Sequence, residues 1–245
     1  MIGKSVFLAV LMTCSLWVIG QDYQRGMVCD PDTLNYGNSY SKLGPVEHYK
    51  AFRCVKVTKL GVRVDVGFNH YAYSLKTREW LGNHNGPLLG ISIAYTNFSV
   101  GIKFKPATVT PQTELAFNGV LLTGEAKLNP NKIDYELAYS INLKQNISIE
   151  PFMGISANRF VVINEKDLKK HYEIESAKGL VAGVTLNKYF RLKNFQFFSV
   201  FARYGYGFVN FRSLNDQLSN GYSDLSLGIA YKAFGEKQFL KKILE

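Results

Sequence analysis

From residue 60 onward, apolar and polar residues alternate with a period of two, the spacing expected when successive side chains leave a strand on opposite faces. The segment 133–143 shows it most clearly. Ile133, Tyr135, Leu137, Tyr139, Ile141 and Leu143 share one face, and Asp134, Glu136, Ala138, Ser140 and Asn142 share the other. The same alternation recurs over 60–68, 89–95, 98–104, 147–155, 180–186, 198–208 and 225–233, which predicts eight strands. Helical spacing is nearly absent.

The links between these segments alternate in length. Residues 96–97, 144–146 and 187–194 are the shorter ones, and 74–87, 105–132, 161–179 and 212–224 the longer ones. Short turns at one end and long loops at the other are the plan of an antiparallel barrel that crosses a membrane, and an even strand count returns the chain to the side it started from. The fold class is therefore all-β, an eight-stranded antiparallel transmembrane barrel. Residues 114–127 carry strand-like Leu115, Phe117, Val120, Leu121 and Leu122. A ninth strand would break the parity, so this stretch reads as a hairpin inside the long loop from Lys105 to Lys132. The alternative is a ten-stranded barrel that uses it together with residues 46–57.

The composition of the two faces says which one points outward. Small residues such as Gly61, Gly67, Gly90, Ser92, Gly154 and Gly205 crowd the second face. They suit the narrow interior of eight strands, whereas a solvent-facing surface would be dense in Lys and Glu. The first face is almost free of charge, as lipid demands, since an ionised group at the bilayer midplane costs about 2–4 kcal/mol. Tyr71, Tyr73, Tyr95, Phe98, Phe104, Tyr204, Tyr206, Phe208, Tyr222 and Tyr231 fall near segment ends, where aromatic girdles form at headgroup level. The interior receives Arg63, Asp65, Lys103, Asp134, Glu136, Glu150 and Arg203. Both signs occur together, so an ion network that fills the lumen is expected.

The flanks of this 59–234 barrel differ in character. Residues 1–20 combine Lys4, an apolar run over 6–19 and Gly20, the parts of a secretory signal. The run is shorter than the ~20 residues of a spanning helix. Removal of the signal takes Cys14 with it and leaves Cys29 and Cys54, an even count that suggests a disulfide in an exported chain. Residues 21–58 lack sustained alternation, are rich in turn formers such as Asp30, Pro31, Asn35 and Gly44, and read as an N-terminal periplasmic arm. In 235–245, Phe239, Leu240, Ile243 and Leu244 stand against Lys237, Lys241 and Lys242, which reads as a short basic amphipathic helix on the inner leaflet.

Taken together, the signal, strand count, loop rhythm and face composition resemble the small outer-membrane barrels of the OmpA, OmpX and OmpW type. The resemblance implies a bacterial outer-membrane location. Such barrels often end on an aromatic residue. Here Tyr231 and Phe234 lie near the end of the last strand, but 235–245 follow, and Phe234 is out of phase with Leu225, Leu227, Ile229 and Tyr231.

A formal charge of +10 raises the question of nucleic acid, yet no binding motif accompanies it, and outer-membrane lipid, through anionic headgroups that meet loop and rim lysines, is the expected partner. His48, His84 and His171 have no metal-ligand spacing, and no phosphate-binding glycine loop is present, so neither metal nor cofactor is expected. Asn97 and Asn146 begin Asn-x-Ser sequences and read as turn residues. The expected role is non-enzymatic: structural, or an interaction made through the Lys105 to Lys132 loop. Two alternatives stand beside it. One is a soluble lipocalin-like carrier of a small apolar ligand. The other is a lipid-modifying enzyme using His70 and Ser74.

Overall fold

The computed structural model describes residues 27–36, 49–117, 120–122, 127–163, 171–193 and 195–243. The expected export signal at 1–20 lies outside the described residues. In chain order the elements are β1 (Met27–Tyr36), β2 (Tyr49–Tyr73), α1 (Leu75–Leu81), β3 (His84–Tyr95), β4 (Phe98–Lys105), β5 (Leu115–Phe117), β6 (Val120–Leu122), β7 (Lys127–Tyr139), β8 (Ile141–Asn142), β9 (Ile147–Ile163), β10 (His171–Lys193), β11 (Gln196–Val209) and β12 (Tyr222–Ile243).

β2, β3, β4, β7, β9, β10, β11 and β12 form one antiparallel barrel, with β8 continuing β7 along β9. It is closed because β2 pairs with both β12 and β3, as in Val66↔Ile229 and Val66↔Leu89. Closure leaves no open edge at membrane depth, so the barrel backbone groups are satisfied within the sheet. The ten-stranded alternative does not hold. β5 and β6 pair only with each other, and residues 49–57 extend β2 without making a strand of their own.

The apolar face points outward all round: Phe68 is 76% exposed, Val100 64% and Leu180 63%, although each is flanked by inward residues. An apolar belt of this extent has lipid as its solvent. No helix among the described residues is long and apolar enough to cross a membrane. Tyr95, Phe98, Phe104, Tyr204, Tyr206, Phe208 and Tyr231 lie on the outer face as a girdle requires, but Tyr71, Tyr73 and Tyr222 are buried inside. Parity accounts for this correction. Tyr71 and Tyr73 share the phase of Arg63 and Asp65, and Tyr222 that of Asp224.

Two flanking segments depart from expectation. Residues 235–243 continue β12 as a strand, and 49–58 belong to β2, with register running to Lys50↔Ile243; β1 pairs along the other edge of β2. This three-stranded sheet prolongs the barrel past its short-turn end. An isolated nine-residue helix would be marginal in water, whereas the backbone of 49–57 offers the tail a ready ladder of donors and acceptors. The register of β1 shifts between Cys29 and Thr33, at Asp30-Pro31-Asp32, where proline has no N–H to give. The same register sets Cys29 directly opposite Cys54. The link read at 187–194 is also shorter than expected, because β10 runs to Lys193.

Candidate functional site: a charged lumen under a folded cap

Inward positions of the strands build three charge clusters. In the first, the Arg63 guanidinium donates to Asp65 Oδ1 and Glu150 Oε2, each at 2.7 Å, and to Asn187 Oδ1 at 2.9 Å. Lys103 reaches the second oxygen of Asp65. Glu150 also accepts from the Tyr189 hydroxyl at 2.9 Å and from Ser140. In the second, Arg203 grips Glu136 with both terminal nitrogens, one of them at 3.0 Å, while its carbon lies 3.4 Å from the centre of the Phe152 ring. In the third, Lys105 donates to Asp224 at 2.7 Å and Asp134 at 3.0 Å, and Lys132 to Asp224 at 2.6 Å. The Lys132 ammonium also sits 3.8 Å above the Tyr222 ring. All of these charged side chains are buried. Bidentate and shared pairs of this kind are how a low-dielectric interior tolerates full charges.

The structure thus brings together every charged residue that the alternation assigned to the interior. It adds Lys105, Lys132, Asp224 and Lys232, all buried. Their signal was present: each continues the inward phase by two residues, from Lys103, Asp134, Ser226 and Ala230 respectively. Lys105, Lys132 and Asp224 fall outside the apolar pattern because the strands run further into the long-loop end than it does, whereas Lys232 lies within the segment 225–233, toward the short-turn end. Small residues make the room. A Cβ on Gly90 would fall 2.6 Å from Lys103 Cδ, and one on Gly205 2.7 Å from Asp224 Oδ1.

Between the first two clusters remains a cavity of about 30 Å³, bordered by Arg63, Lys103, Glu136, Glu150 and Arg203. That is room for about one or two water molecules. At the short-turn end the lumen is stopped by Val57, Ala94, Phe195 and Phe234. Phe234 is out of phase with Tyr231 because it belongs to this inward plug, where its N–H donates to Phe195 O at 3.0 Å.

At the opposite end the long connections fold over the mouth. α1 buries Thr77, Trp80 and Leu81, the i, i+3, i+4 stripe of a one-sided helix, and stops at Gly82, whose φ of 68° favours glycine. Trp80 packs tilted against Phe117 of β5 at 4.9 Å and Phe160 of β9 at 5.8 Å; Phe211 links Phe160 to Tyr73 and Tyr222. Leu122, Leu128, Val209 and Leu218 complete a dry core. Hydrogen bonds lash the loops together, with Gln112 N donating to Trp80 O at 2.7 Å, Thr77 Oγ1 to Ser219 O at 2.6 Å, and Asn215 Nδ2 to Ala116 O at 2.9 Å. Beside α1 lies an open cleft of about 510 Å³ bordered by Leu75, Arg78, Glu79, Asn83 and Gln112.

Solved outer-membrane proteins are among the structures similar to this chain. The solved neisserial surface protein A is 14% identical, with 72% of this chain and 97% of that one covered and a TM-score of 0.44. Ail, the attachment invasion locus protein of Yersinia pestis, solved in complex with the heparin analogue sucrose octasulfate, is 14% identical over 71% and 99% of the two chains at 0.43. A major outer membrane protein from Thermus thermophilus is 13% identical over 70% and 99% at 0.47. No protein-family model matches the chain, and no curated protein matches it.

The two alternatives fare differently from the barrel. A lipocalin-like carrier needs an apolar cavity, whereas this lumen is charged and nearly full. His70 stands on β2, whereas Ser74 lies past the end of that strand and opens α1. His70 Nδ1 is instead hydrogen-bonded to Asn85 Oδ1 at 2.7 Å. No cluster of three His, Cys, Asp or Glu side chains fit for a metal occurs among the described residues.

Proposed function

We propose that this outer-membrane barrel is a closed, non-enzymatic scaffold that presents its folded loop cap to a partner outside the cell. The observation that carries the reading is the cap itself. Loops that merely connect strands do not build a core around Trp80, Phe117, Phe160 and Phe211, and long ordered loops on a rigid scaffold are where binding function is usually placed. Transport through the lumen is disfavoured by the charge clusters and by the plugs at both ends. The loop between Lys105 and Lys132 contributes β5, β6 and the Val109↔Leu128 bridge to the cap. The cleft beside α1, with Leu75 77% exposed at its rim, is the natural contact point. At the other end, the Cys29↔Cys54 register supports a disulfide that ties β1 to β2, since facing residues in an antiparallel pair have Cα atoms within about 4.5–5.5 Å and disulfides span that separation.

Hydrogen exchange on the full chain in lipid tests the presentation of the cap. Amides of Val109, Gln112 and Leu128 should exchange slowly, because each donates to a backbone carbonyl. Unprotected exchange at all three would show that the loops present no fixed surface, and steady single-channel conductance in planar bilayers would overturn the closed lumen.

A further inference from the structure

Among the described residues, the excess positive charge sits at one end of the barrel. Inside the lumen six buried cations meet five buried carboxylates. At the long-loop end, six cations and five carboxylates among the described residues again nearly cancel. The short-turn end is different. Lys56, Lys59, Lys144, Lys188, Arg191 and Lys237 are exposed there, and Lys50, Arg53, Lys193, Lys241 and Lys242 occupy further strand positions at that end. The carboxylates at this end, among the described residues, are Asp30, Asp32 and Glu236.

The register sharpens the imbalance. Lys56 stands directly opposite Lys237 on β12 and opposite Met27 on β1. Like charges in facing positions destabilise a sheet unless an anion lies between them. The barrel solves the same problem internally: Lys105 faces Lys132, and one oxygen of Asp224 accepts from both, at 2.7 and 2.6 Å. Among the described residues no carboxylate holds that position for Lys56 and Lys237. Glu236 faces Val57, one residue out of phase, and the next pair on the same face is Cys54↔Phe239.

We propose that the short-turn end binds anionic phospholipid headgroups of the leaflet it spans, a phosphodiester bridging Lys56 and Lys237 as Asp224 bridges Lys105 and Lys132. The depth fits this occupant. Lys59 precedes lipid-facing Leu60, Lys188 follows lipid-facing Leu186 by two residues, and Arg191 lies between exposed Phe190 and Leu192. Lys59 and Lys188 therefore stand one or two residues from lipid-facing leucines and Lys56 four residues before Leu60, a range of depth over which ammonium groups on flexible stems meet headgroups. This surface is separate from the cap and does not depend on the cap's role.

The test uses the full chain reconstituted into vesicles of phosphatidylethanolamine with a minor share of phosphatidylglycerol, and compares spin-labelled phosphatidylglycerol with spin-labelled phosphatidylcholine in the motionally restricted shell. The expected preference for phosphatidylglycerol is about three- to fivefold at low salt, shrinking toward unity at about 0.5 M NaCl. Lys56→Gln/Lys59→Gln/Lys237→Gln should abolish most of it, and Lys76→Gln/Arg78→Gln at the other end should leave it unchanged. Heat-resistant migration on gels verifies folding. If the triple variant does not fold, Lys59→Gln/Lys188→Gln, which spares the Lys56/Lys237 pair, should still lower the preference by about half. No preference in the wild type, or an undiminished one in folded variants, overturns the proposal. So does capture of inorganic polyphosphate by the same lysines without lipid preference.

Discussion

Replacing Asp224 by Asn removes the charge that two buried lysines share. The carboxylate is 1% exposed, and its Oδ2 accepts from Lys105 at 2.7 Å and Lys132 at 2.6 Å. A hydrogen bond to a charged group contributes about 1.5–3 kcal/mol, and removing one member of a buried ionic set costs about 3–5 kcal/mol because the partner charge stays behind uncompensated. Asn keeps an acceptor of similar shape, and Asp134 still neutralises part of the pair, at 3.0 Å from Lys105 and 3.4 Å from Lys132. The net loss should therefore fall near the lower bound, about 3 kcal/mol. Urea unfolding in lipid vesicles, followed by the fluorescence of Trp80, reads it directly, since this residue is fully buried in the cap. The double variant Asp224→Asn/Lys132→Met removes one of the stranded cations and should recover about 1–2 kcal/mol of the single variant's loss, a non-additivity expected of contacting residues. A loss under about 1 kcal/mol for Asp224→Asn, or strictly additive costs in the double variant, would refute the view that the lumen is held by paired charge.

Other outcomes follow from the same structure. Ile91→Arg places a cation on the lipid face, opposite Val64 and Ile102 near the middle of the apolar belt, and should cost about 2–4 kcal/mol in the same unfolding assay; a harmless result would mean the belt does not face lipid. Purified protein in planar bilayers should show no steady conductance above background. Removing residues 112–126 deletes β5 and β6, so the barrel should still fold and resist heat in detergent while Trp80 fluorescence shifts to the red; loss of the barrel would make that hairpin a structural strand. Intact-mass analysis without reductant should find Cys29 joined to Cys54, and reduction should lower stability by roughly 3–4 kcal/mol for a loop of this length. Two free thiols would discard that link.

Much of this molecule was legible before any coordinates, because a period of two is a local property. The parity of Val62, Val64 and Val66 against Arg63 and Asp65 states which side chains share a face, and alternating link lengths state how the strands run. The lack of charge on one face and the small residues on the other settled which faced lipid, since bilayer and narrow lumen impose opposite compositions. Parity also assigns Tyr71, Tyr73 and Tyr222 inward, since each continues the inward phase beyond the apolar positions of its segment. What the chain could not state is who meets whom. Arg63 finds Glu150 87 residues away, and Lys105 finds Asp224 119 residues away. Such partners are chosen by register around a closed ring, which no local pattern encodes. The fate of 235–243 was equally a tertiary decision, since the same residues suit an amphipathic helix until the exposed backbone of 49–57 lies alongside to pair with them. The cap has the same origin. Trp80, Phe117, Phe160 and Phe211 are scattered in sequence and carry no common period, and they become one core only because barrel closure brings three separate connections and the end of β9 to a single mouth.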